Sequence, residues 1–390
     1  MKQDMQLVTP SDEFLIHQTA ETFATVSQAD YSWTEKGWLS MVARDSSLQI
    51  DFGLGKYINR NVFDGFVGIS RGVEQITVRA SREYDDDPER LGVGPIDYEI
   101  IEPMRALRCT LRENDVQPLS FDVVFTPIMA PFLERKDAQR GSDGFRVASD
   151  LRRFHQLGTV SGWVEVDGKR TDITDETWLG YRDRSWGVRM DVGSPAPDVK
   201  APDRMNQNFI LTWSPMYFEP ADGSDPYEIH HYLQWVDGEV HYFSGFLNHA
   251  DGSQQSLYGI ADDLKYDVQT RRLLGGTITF DAGWGDRRVI EIEPVSDTGF
   301  HLGTANYFGF KGDRHGQWHG NDYTSGERYE DMTERDTLLE VHQLRDCVIR
   351  CSEGDATGYG IFESIVIGGH PRYGISGDDS CLGRRQIHRA

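Results

Sequence analysis

Basic residues are scarce. The 390-residue chain carries 40 Lys and Arg against 63 Asp and Glu, for a net charge of −23. A field of that sign repels phosphate backbones and anionic lipid surfaces, which argues against nucleic acid and membrane-surface partners. Cysteine is sparser still. Cys109, Cys347, Cys351 and Cys381 show no paired C-x-x-C spacing, so reduced structural thiols are expected rather than a disulfide framework. No stretch approaches the roughly 20 apolar residues of a membrane span. Met1 to Pro10 lacks the basic segment and apolar run of a secretory signal, so a cytoplasmic location is the expectation. Helical periodicity is thin and confined to residues 11–23 and 147–154.

Strand signals fill the space that helices leave. Aromatics make up 11% and hydrophobic residues 38%, enough core material for sheets. Residues 75–80, 277–280 and 289–293 alternate apolar and polar side chains or are β-branched. Asp-Gly pairs punctuate such runs at Asp64-Gly65, Asp143-Gly144, Asp167-Gly168, Asp222-Gly223, Asp237-Gly238 and Asp251-Gly252. Both residue types tolerate the positive φ of tight hairpins, which points to antiparallel meanders in barrels or sandwiches. The chain is too long for one barrel and suits two domains of about 190 residues. Pro195, Pro197 and Pro202 mark the boundary. The expected division is a barrel over residues 1–193, a Pro-rich linker at 194–206, a second barrel over 207–382, and a basic tail at 383–390. Val166-Asp167-Gly168 and Val236-Asp237-Gly238, with Trp163 and Trp235 nearby, suggest a duplication.

The segment richest in chemistry is Trp178-Leu179-Gly180-Tyr181-Arg182-Asp183-Arg184-Ser185-Trp186-Gly187. As a strand it sends Tyr181, Asp183 and Ser185 to one face and Arg182 and Arg184 to the other. A carboxyl desolvated against indole rings holds its proton more tightly and can serve as an acid near neutral pH. Tyr181 would assist Asp183, with Trp178 and Trp186 shaping a dry pocket. Equally, Asp183 could form a buried ion pair, with Arg182, Arg184 and Arg189 locking the two barrels together.

The string Tyr-x-Asp-x-Ser-Trp-Gly resembles the signature of the hydroxyneurosporene synthase (carotenoid 1,2-hydratase) and AttH-like lipocalin superfamily. Similar matches occur at Asp12-Glu13-Phe14 with His17-Gln18, at Tyr98 to Pro103 followed by Arg108, and at Gly245, Asp251-Gly252 and Tyr266-Asp267. The resemblance implies two tandem lipocalin-like antiparallel β-barrels. It also implies acid–base chemistry on greasy substrates without a redox cofactor: hydration, dehydration or cyclisation of a terpenoid, steroid-like or aromatic molecule. The signature's acid and its helper map onto Asp183 and Tyr181, and Trp163 is the candidate for an implicated upstream tryptophan. Arg182 and Arg184 stand where the family has histidines, which leaves the substrate open. A non-catalytic carrier of an apolar ligand is the alternative.

Other candidates are lesser. His230 and His231 face opposite sides of a strand, so one of them could line a second-domain pocket or the interface between barrels, and His231 with Trp235 is taken as substrate-binding. His315 and His319 are separated by four positions but sit among glycines, so no metal is expected there. His155 and His17 have no assigned role. Gly53-Leu54-Gly55-Lys56 lacks the length and Ser/Thr of a phosphate loop and is read as a turn. Glu363 is read as an acid satisfied by an arginine. No cofactor is expected, and the oligomeric state is left open.

Overall fold

The structure, a computed structural model, describes residues 8–17, 28–85, 87, 89–140, 147–190, 192–194, 208–341 and 343–377. The Asp143-Gly144 pair, the linker from residue 195 onward, the tail at 383–390 and Cys381 lie outside the described residues.

The chain folds into two curled antiparallel half-barrel sheets, as the all-β expectation of two tandem lipocalin-like barrels requires. In the first, the strands Glu74–Glu83, Val62–Arg71, Gln49–Tyr57, Trp33–Ala43, Trp178–Val188, Val147–Val166, Leu119–Pro127, Ala106–Leu111 and Ile96–Glu102 lie side by side. The second runs through Glu239–His249, Tyr227–Val236, Phe209–Glu219, Ala356–Ile367, Arg345–Glu353, Asp286–Pro294, Leu273–Gly283 and Gly259–Tyr266. One strand crosses over: Tyr323–Tyr329, late in the chain, pairs with Glu74–Glu83 at the edge of the first sheet. No helix among the described residues is long and apolar enough to cross a membrane.

Period-two alternation sorts most of the buried side chains into three large apolar clusters, with two small ones beside them. Leu39, Ile50, Phe52, Val67, Val78 and Phe121 fill the first sheet's interior. Phe218, Ile229, Ile278 and Phe362 fill the second. Trp38, Phe66, Tyr181, Trp213, Tyr217 and Ile361 pack between the sheets. Each strand near the middle therefore serves two cores, which is why so few of its residues are exposed.

Several local expectations need correction. Residues 147–154 are not helical. They open the strand Val147–Val166, held in register on both sides by Trp178–Val188 and Asp137–Arg140. Tertiary pairing overrides the weak helical pattern there. Of residues 11–23, only a single 3₁₀ turn, Pro10–Glu13, forms within the described part. Gly53 to Lys56 is no turn but part of the strand Gln49–Tyr57. A Cβ at Gly53 would collide with the Phe66 ring, so packing explains that glycine. Asp64-Gly65 likewise lies within the strand Val62–Arg71. Asp167-Gly168 and Asp237-Gly238 are hairpin turns, with φ of 54° and 74° in the first and 49° and 90° in the second.

Candidate active site

Strand register builds the site. On the face of the first sheet that looks toward the second, Arg153, Ser185 and Lys36 form one cross-strand row and His155, Asp183 and Trp38 the next. Opposite them, Asp346, Glu363, Trp213 and Tyr232 form a row across the second sheet. Charged groups thus line an interface that is otherwise aromatic. Gly187 closes the signature strand with φ of 130°, and a Cβ there would strike the Asp150 carbonyl. Only glycine fits that conformation without strain.

Asp183 is the open member of this layer. Its side chain is 15% exposed, and its nearest counter-charge is Arg153, with Nε 3.6 Å from Oδ2. That separation is too long for a hydrogen bond. Arg153 is shared: Nη1 donates to Glu134 Oε2 at 3.2 Å, and its guanidinium lies over the Tyr232 ring. Trp38 is the cross-strand neighbour of Asp183 and meets Trp213 edge to face at 5.3 Å. Trp213 Nε1 in turn donates to Glu134 Oε1 at 3.1 Å.

Glu363 faces the same layer from the second sheet. Burial, with Asp183 adding to it against Arg153 and Arg189, pushes its carboxyl up to about 7. Behind it Asp346 is fully buried and raised further by burial and by its acidic neighbours, and Asp51 from the first sheet is pushed up to about 8 by burial. Carboxyls this close and this dry coexist by keeping protons. Gln49 Nε2 donates to Asp51 Oδ2 at 2.7 Å. One cross-strand row from Asp183, Lys36 Nζ donates to His315 Nδ1 at 3.2 Å and sits 4.0 Å from the Tyr307 ring centre. Burial, aided by Arg189, lowers the Lys36 amine to about 7. A void of about 20 Å³ lies beside it, lined by Asp64, Phe66 and Arg79, among others.

The remaining expected site residues scatter. Tyr181 shares the face of Asp183 but is buried against a separate void of about 10 Å³ with Arg44 and Tyr359. Burial drives its phenol well above the ordinary value. Trp178 belongs to the first sheet's interior and Trp186 stacks on His17 at 3.7 Å, so neither walls the Asp183 side of the strand. Trp38 and Trp213 take that role. Trp163 lies under the Arg170 guanidinium, paired in register with Asp122 and Asp172. His231 is inside the second sheet, its Nε2 3.0 Å from Thr212 Oγ1 and its ring against Phe280 and Phe362. Trp235 packs on that same interior cluster beneath Arg372. It is His230 that looks toward the first sheet.

The flanking arginines do not tie the halves together. Arg182 grips Glu13 through two hydrogen bonds of 2.7 and 2.9 Å and Gln156 at 2.6 Å. Burial disfavours charge on Glu13, yet Arg182 outweighs it and holds that carboxyl below its usual range. Arg184 bonds the carbonyls of Glu13 and Lys36. Both therefore pin the N-terminal segment into the first sheet. Arg189 Nη2 donates to Ser185 Oγ at 2.9 Å.

A model for a family of unknown function, DUF8625, matches residues 8–376. The chain belongs to that family. No curated protein matches it. Among solved structures it is similar to kievitone hydratase from Nectria haematococca, with a TM-score of 0.48 and 12% identity over 87% of this chain and 91% of that one. It is also similar to CghA, with a TM-score of 0.48 and 10% identity over 90% of this chain and 91% of that one. For CghA with Sch210972 the figures are 0.48 and 9%, over 87% and 90%. In this DUF8625 chain, sequence reasoning missed Arg153, Glu134, Trp38, Trp213 and Lys36, and Glu363 was read as merely paired. None of these stands in a local motif; only strand register and packing between the sheets bring them to Asp183.

Proposed function

We propose that this protein is an acid–base lyase or isomerase, of hydratase, dehydratase or cyclase type, acting on an apolar terpenoid, steroid-like or aromatic small molecule held between the two sheets. The observation that carries this reading is the Asp183 carboxylate. It is partly open and accepts no hydrogen bond from the described residues, yet it stands beside Trp38 in a layer where Glu134, Glu228 and Asp346 are buried. A carrier would gain nothing from a carboxylate there that is ion-paired with Arg153 but hydrogen-bonded by no described residue, whereas a catalyst needs one with a free position. Glu363, poised near neutrality, supplies or takes the second proton. In a hydration, one carboxyl protonates the double bond and the other draws a proton from water. The aromatic walls exclude competing solvent and favour a cationic intermediate by about 1–2 kcal/mol per ring.

The test is isotopic. The protein is incubated in heavy water with an organic extract of its producing cells, and apolar metabolites are then weighed by mass spectrometry. Wild type is expected to place deuterium in one metabolite, and Asp183→Asn to reduce labelling at least about a hundredfold while keeping its circular dichroism. Equal labelling by Asp183→Asn would refute the assignment.

A further inference from the structure

We propose that Glu134, His155 and His230 form a binding site for a divalent transition cation of the zinc type, joining the two sheets at the edge of the Asp183 layer. The residues come from three separate places: the irregular connection after Phe132–Leu133, the strand Val147–Val166, and the strand Tyr227–Val236 of the second sheet. One ligand atom from each lies within 4.8 Å of the others. His230 Nε2 is 3.7 Å from Glu134 Oε1, close to the spacing of two ligands that each bind a common ion at about 2.0–2.2 Å in a tetrahedral site. Two imidazoles and one carboxylate are a donor set that zinc and its neighbours select over calcium or magnesium.

A second observation points to a missing partner. His155 and His230 are almost completely buried, at 2% and 1% exposure, and their rings stack at 3.6 Å. All four of their ring nitrogens are without a hydrogen bond. Imidazole nitrogens withdrawn from water are otherwise nearly always bonded. Phe132 packs on the His155 ring and Trp213 on the His230 ring, so aromatic neighbours wall both imidazoles off from solvent. His155 Nδ1 lies 3.5 Å from Glu228 Oε1, not hydrogen-bonded to it in this structure but near enough for that carboxylate to accept the ring N–H once Nε2 binds the ion.

Glu134, Glu228 and Asp183 bring three acidic side chains to this corner, and Arg153 contacts Glu134 and Asp183. Arg153 occupies Glu134 Oε2, and Trp213 takes one lone pair of Oε1, which leaves the second lone pair of Oε1 for the ion. Three protein ligands leave a coordination position for water or substrate, as catalytic zinc sites do.

The experiment uses the full-length protein, stripped with a chelator and titrated with Zn²⁺ by calorimetry and with Co²⁺ by visible absorption. One equivalent is expected, with the d–d bands of cobalt bound to nitrogen and oxygen. His155→Gln, His230→Gln and Glu134→Gln should each weaken binding at least about tenfold, while Gln at the exposed His241 should not. Failure of the wild type to bind one equivalent overturns the site however the variants fold. Binding that all three variants retain overturns it too, by locating the ion elsewhere. Neither outcome bears on the heavy-water test of Asp183.

Discussion

Arg182 and Asp183 are adjacent in sequence and opposite in circumstance. Arg182 is fully buried with its charge met by Glu13, itself completely buried. Removing one partner of such a pair leaves the other charged in a dry interior, which costs about 3–5 kcal/mol. Glu13→Ala is accordingly expected to lower the free energy of urea unfolding by that amount. A loss below about 1 kcal/mol would show that the N-terminal segment is not locked as described. Asp183, by contrast, accepts no hydrogen bond from the described residues, so Asp183→Asn should change stability by no more than about 1 kcal/mol in the same assay. A much larger loss would mark it as structural. The alternation of the signature strand was legible in the sequence, because a period of two needs no knowledge of neighbours. The identity of the walls was not. Trp178 and Trp186 looked right by proximity, whereas Trp38 and Trp213 reach Asp183 only through register between strands and packing between sheets.

At the level of elements, the strands Gln49–Tyr57, Arg345–Glu353 and Ala356–Ile367 meet through Asp51, Asp346 and Glu363. Asp51 has a folded value of about 8 against an ordinary 3.8. The folded chain therefore keeps a proton that the unfolded chain releases. Stability on this account is greatest below about pH 4 and falls as pH rises toward about 8, since the folded state binds more protons across that interval. The decline is on the order of a few kcal/mol for such a group. Asp51→Asn carries no proton to lose. Its melting temperature should match the parent near pH 4 and exceed it near pH 8. A difference between variant and parent that does not change with pH would dispose of the protonated bridge. Of these strands the sequence pointed only to the closing one that carries Glu363, and Gly53 to Lys56 of the first was read as a turn. The sequence could not reveal that three acids converge, because contact between sheets leaves no trace in local pattern. The turns were read more reliably: at Asp167-Gly168 and Asp237-Gly238 the residues themselves dictate the backbone.

The whole molecule depends on both halves being present. Tyr323–Tyr329 completes the first sheet at Glu74–Glu83, and Gln75, Thr77 and Arg79 on that edge strand hydrogen-bond Thr304 from the second half. Without these partners, Glu74–Glu83 becomes a bare edge strand with unsatisfied backbone groups. The face bearing Trp38, Phe66 and Leu157 would also be stripped of Trp213, Tyr217 and Ile361. An apolar patch of that kind exceeds what a monomeric surface tolerates. Two barrels read from composition and length suggest modules that fold alone, and the repeated Val-Asp-Gly forms a hairpin turn in both halves. The crossover strand argues for one cooperative unit instead. A fragment of residues 1–193 is therefore expected to aggregate or remain unfolded by circular dichroism, while the intact chain melts in a single transition seen alike by far-ultraviolet dichroism and tryptophan fluorescence. A soluble fragment with its own sharp melt would mean that each sheet is self-sufficient, and that the charged layer between them forms on docking rather than on folding.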